Sequence, residues 1–78
     1  MCVEDIKLEK DRIKNSADHL NKSYDLLDLA FKSTSARYTR SVESGDSIES
    51  IEKLAKRRES LETILSLVSE AIDLIDVI

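Results

Sequence analysis

Apolar residues recur at alternating intervals of three and four along the first half of this chain, at Val3, Ile6, Ile13, Ala17, Leu20, Tyr24, Leu27, Phe31 and Tyr38, with Lys10 and Thr34 filling the gaps in register. An α-helix turns once in 3.6 residues, so this spacing gathers the side chains into one narrow stripe, the seam of a coiled coil. A second run of the same kind follows, Ile51, Leu54, Leu61, Leu65, Val68, Ile72 and Ile75, with Arg58 standing where an aliphatic residue is expected. Between the two runs lies RSVESGDSIES. Gly45 can take the left-handed conformation that closes a helix, and Asp46 followed by Glu49 has the spacing of a capping box that opens the next. The pattern predicts a first helix over about residues 3–43, a turn at 44–46 and a second helix over about 47–77. A connection this short favours antiparallel neighbours, which makes residues 1–78 a single all-α, coiled-coil-like helical hairpin. Poor helix formers crowd KSTSAR, so a kink is possible at 33–35.

If the turn is centred on Gly45, position n of the first helix lies near position 90 − n of the second. Leu61 then falls by Leu29, Leu65 by Asp25 and Ile75 by Asn15. Ile78 reaches only about Arg12, so residues 1–11 overhang the hairpin.

The C-terminal segment SLETILSLVSEAIDLIDVI carries more apolar side chains than one seam needs. Beside the seam runs a second stripe with the same alternation, Ile64, Leu67, Ala71, Leu74 and Ile78. Two adjacent stripes make a face too wide for one partner helix, the signature of a helix inside a bundle. Leaving the four large side chains in water forgoes on the order of 6–10 kcal/mol, which rivals the whole stability of a small domain. The first helix adds a smaller patch, with Leu26 and Ala30 flanking its seam and Leu29 pointing further away. These residues form the candidate partner-binding surface, and a four-helix bundle made by self-association or with another helical protein is the expected way of covering it.

Composition narrows the alternatives. With no proline, one glycine and 36% charged residues, the chain suits long helices and lacks the turn residues that sheets need. A 78-residue core is marginal unless a disulfide, a metal or oligomerisation supports it. Cys2 is the single cysteine and His19 the single histidine, which leaves no intramolecular disulfide and no Cys/His zinc site. No cofactor is expected. The N-terminal MCVEDIKLEK has no apolar stretch of the signal-peptide kind, and Glu70, Asp73 and Asp76 interrupt the apolar tail, so a cytoplasmic chain with no membrane span is the expectation.

Charge is distributed unevenly. The net charge is −4, yet residues 32–58 carry a net +3 and residues 59–78 a net −5. A possible nucleic-acid contact therefore exists at the turn end, in Arg37, Arg40, Lys53, Lys56, Arg57 and Arg58. Glu43, Asp46, Glu49 and Glu52 among them would repel the same phosphates, so nucleic acid is the less favoured partner. Arg58 can lay its aliphatic stem over the seam and reach solvent or Asp28. Nothing points to catalysis: His19 has no pocket implied around it, and one glycine cannot build a phosphate loop.

The stretch LETILSLVSEAIDLIDVI, within a short hairpin-forming chain, resembles the small co-chaperones that guard needle subunits in type III secretion. That resemblance implies an adaptor or chaperone for another protein. Three functions follow as expectations: a non-enzymatic protein–protein interaction module, a co-chaperone of that kind, or a small dimeric nucleic-acid-binding regulator.

Overall fold

The computed structural model describes residues 3–78, so Cys2 lies outside the described residues. Two helices make up almost all of it, α1 from Val3 to Ser44 and α2 from Ile48 to Asp76, and no strand occurs among the described residues. They fold back on each other as an extended hairpin measuring 64 × 16 × 14 Å. Its radius of gyration is 18.4 Å, against roughly 11–12 Å for a compact chain of this length.

The turn is built from backbone geometry. Gly45 has φ +69°, the left-handed conformation. The Gly45 amide donates to the Val42 carbonyl (3.3 Å) and the Asp46 amide to the Ser41 carbonyl (3.0 Å), which is the Schellman pattern that satisfies the last carbonyls of α1. The start of α2 differs from the sequence expectation. Asp46 is consumed by that terminating turn, and Ser47 is the N-cap instead, its hydroxyl accepting from the Ser50 amide at 3.3 Å. Asp46–Glu49 is therefore not the capping pair.

α1 is helical without interruption through Ser33, Thr34 and Ser35. Thr34 occupies a seam position and is 6% exposed, the one buried residue among those described. Thr39 donates its hydroxyl back to the Ser35 carbonyl at 3.1 Å. Packing at the seam outweighs the local preference of these residues for other conformations.

The seams meet as their spacing indicates. Ile13, Ala17, Leu20, Tyr24, Leu27, Phe31 and Tyr38 of α1 are half-buried, as are Ile51, Leu54, Leu61, Leu65, Val68, Ile72 and Ile75 of α2. No apolar side chain among the described residues is fully buried. Two helices cover each other along one line only, so every seam residue remains open above and below it. Lys14 and Asp76 line one hollow between the helices, and Ser41 and Ser50 another, in keeping with position n of α1 lying level with roughly position 90 − n to 91 − n of α2. Val3 through Asp11 are exposed, and those before Lys10 lie ahead of the hollow where α1 meets the end of α2.

Candidate functional site

Residues seven apart share a face of a coiled-coil helix, and in an antiparallel pair the like flanks of the two helices lie side by side. One face of the hairpin therefore collects Arg57, Ile64, Ala71 and Ile78 with Lys53, Ser60, Leu67 and Leu74 from α2. From α1 it takes Glu9, Ser16, Ser23, Ala30 and Arg37, with Asp5, Arg12, His19, Leu26, Ser33 and Arg40 beside them. A groove across the two helices, lined by Arg37, Ser41, Lys53, Leu54 and Arg57 together with Ser50 and Asp46, has this composition.

The candidate partner-binding residues occupy the half of this face toward the open end. Exposure is 41% at Ile64, 59% at Leu67, 64% at Leu74 and 82% at Ile78, with Ala71 half-buried at the edge of the seam. On α1, Leu26 is 69% exposed and Ala30 is also exposed, at the level of the start of the α2 stripe. Leu29 is exposed on the side away from α2. These side chains form a strip of aliphatic surface next to the half-buried seam, with small residues of α1 alongside it.

The half of the face toward the turn is basic. Arg37, Lys53 and Arg57 line one groove, and Arg40 joins Arg37, Ser41, Ser44 and Asp46 around an adjoining hollow. Lys53 pairs with Glu49 at 3.6 Å, both well exposed. Lys56 is exposed away from the groove, and Arg58 belongs to the opposite face, where its guanidinium carbon lies 5.6 Å from the Tyr38 ring centroid. The six basic candidates are thus not one patch: Arg37, Arg40, Lys53 and Arg57 converge and the other two do not. Arg58 does not pair with Asp28, whose partner is Lys32 at 2.9 Å. The hydrogen bond and the charge of Asp28 hold the Lys32 ammonium above its ordinary pKa of 10.5.

The convergence of Arg37, Lys53 and Arg57 could be read from the sequence only with the register in hand, since it depends on which flank of each helix meets the other. No group of three or more His, Cys, Asp or Glu that could hold a metal occurs among the described residues, and no described helix is long and apolar enough to cross a membrane. Comparison with known proteins returned no matching family model, no similar curated protein and no similar solved structure. The likeness of the C-terminal helix to type III secretion co-chaperones finds no counterpart in those comparisons.

Proposed function

We propose that this chain is a non-enzymatic protein–protein interaction module, a helical hairpin that docks a second helical surface, first of all another copy of itself, through Ile64, Leu67, Ala71, Leu74 and Ile78, with Leu26 and Ala30 in support. The observation that carries this reading is the exposure of large aliphatic side chains in register beside a seam that is itself only half-buried. The area agrees. The chain exposes 6272 Å², roughly 1,500 Å² more than a compact monomer of its 8.8 kDa mass. Obligate dimers bury about 1,000–2,500 Å² per partner, which spans that excess. Helix packing supplies the affinity, and the charges at either end of the hairpin orient the partner.

The test is the double substitution Leu67→Asp/Leu74→Asp, followed by light scattering and far-ultraviolet circular dichroism. Association is lost and most of the helicity remains if the second stripe is the docking surface. Association that survives both aspartates contradicts the reading.

A second reading, a small nucleic-acid-binding regulator, draws on the groove of Arg37, Lys53 and Arg57. Asp46 in the same groove and Glu49 beside Lys53 weigh against it. Its signature is salt-sensitive binding of a duplex oligonucleotide that is lost when Arg37 and Arg57 are neutralised.

A further inference from the structure

The interaction face changes character along its length. At the turn end it is basic, with Arg37, Arg40, Lys53 and Arg57. From Ile64 to Ile78 it is aliphatic. Beyond α2, on the overhanging first turns of α1, it carries Asp5, Glu9 and Arg12, and Val3 and Ile6 are seam positions with no α2 residue level with them. Val3 is 81% exposed. Residues 3–12 have four acids and three bases, a net −1. The order basic, aliphatic, acidic is complementary to its own reverse.

We infer that two copies of this chain pack face to face and antiparallel about a two-fold axis passing near Ala71, and that the overhanging N-terminal turns of each copy lie along the basic groove of the other. This rests on the proposed docking function and specifies its partner and geometry. The distances support that axis. Ile64 and Ile78 lie seven residues either side of Ala71, about 10 Å each way, so Ile64 of one copy meets Ile78 of the other. Arg57 is fourteen residues from Ala71, about 21 Å. The same distance beyond Ala71 is the level of Ile6 on α1, with Glu9 one turn nearer. One axis therefore covers the aliphatic strip with itself and brings the acidic overhang to Arg37 and Arg57. A parallel pair would also join the two strips, but it would set each basic groove against the other and leave both overhangs uncovered.

Two measurements test the arrangement, both on chains carrying Cys2→Ser. In the first, Ile64→Cys and Ile78→Cys variants are oxidised separately and mixed. The antiparallel pair gives a disulfide-linked dimer in the mixture and little in either variant alone, since a disulfide needs Cα atoms within about 7 Å. Linked dimers in each variant alone, or none in the mixture, overturn it. In the second, Glu9→Lys and Arg57→Glu are compared with the parent chain at low salt. Each variant alone dimerises several-fold more weakly, and the equimolar mixture recovers the parent affinity to within about threefold, because both contacts of the mixed dimer are complementary. A mixture no tighter than its components overturns the placement of the overhang. A duplex oligonucleotide that binds the intact dimer and is lost with Arg57→Glu would put phosphates in the groove and overturn that placement too. A chain that associates through Leu67 and Leu74 yet fails the cross-linking test refutes this arrangement and leaves the docking function standing. A chain that never associates refutes both the arrangement and self-docking.

Discussion

The guanidinium of Arg58 lies over the ring of Tyr38, 5.6 Å from its centroid, at the one polar position in the α2 seam. A cation above an aromatic face is attracted by the ring quadrupole, by about 0.5–1 kcal/mol at an exposed site. Tyr38, Ala55 and Arg58 with Glu59 and Glu62 line the shallow hollow on this side of the hairpin. A double-mutant cycle of Arg58→Ala and Tyr38→Leu, read by thermal or urea unfolding, should return a coupling of about 0.5–1 kcal/mol. A coupling of zero would show that the two side chains do not interact in solution.

Ser35 places its hydroxyl at a buried position with no hydrogen-bond partner. Such a group costs about 1–3 kcal/mol, and alanine is also the better helix former. Ser35→Ala should therefore stabilise the hairpin by about 1 kcal/mol or more and raise the melting temperature by several degrees. An unchanged or lower melting temperature would mean that the hydroxyl finds a partner in solution.

The turn offers three contrasting substitutions. Gly45→Ala meets no neighbouring atom, so its cost comes only from the left-handed backbone, about 1–2 kcal/mol. Ser47→Ala removes the N-cap of α2 and should cost about 1 kcal/mol. Asp46→Ala should cost clearly less than Ser47→Ala, because the Asp46 contribution to the turn is its backbone amide. The reverse order of the two effects would restore the Asp46 cap that the sequence spacing suggests.

The Lys32–Asp28 pair makes a pH-dependent contribution of known sign. Lys32 is held above its ordinary 10.5 by Asp28, so whatever the pair adds is fully present below that value and disappears as the pH rises through the raised pKa. Both groups face solvent, so Lys32 should leave unfolding unaffected by pH at neutral pH. Titration of the Lys32 side chain by NMR, with and without Asp28→Asn, would show the elevation and its loss. An identical titration midpoint in the two chains would remove Asp28 as its cause.

Much of the hairpin was legible in the spacing of apolar residues, because a two-helix protein has only one line along which side chains can be covered. The apolar seam residues from Ile13 to Tyr38 and from Ile51 to Ile75 are half-buried along the three-and-four alternation, and the turn falls at the single glycine. Three details were not legible. Asp46 and Ser47 are both good caps, and the choice between them depends on the hydrogen bond from the Asp46 amide to Ser41. The Ser33–Ser35 segment stays helical because Thr34 is packed, a tertiary effect that local propensity does not carry. Arg58 was expected to reach solvent or Asp28, and it lies instead over the Tyr38 ring, a contact across the helices that single-chain spacing did not single out. The exposed strip from Ile64 to Ile78 was visible in sequence as a second stripe, and the basic turn end was visible too, although separating Arg37, Lys53 and Arg57 from Lys56 and Arg58 required knowing which flanks of the two helices meet.

The most direct test of the central claim is the molar mass of the pure chain by light scattering across a dilution series, with helicity followed in the same samples. Cover of the second stripe by another copy requires twice the chain mass of 8.8 kDa at high concentration, with helical stability falling as the dimer dissociates. A mass of 8.8 kDa at every concentration, with helicity independent of dilution, would contradict it.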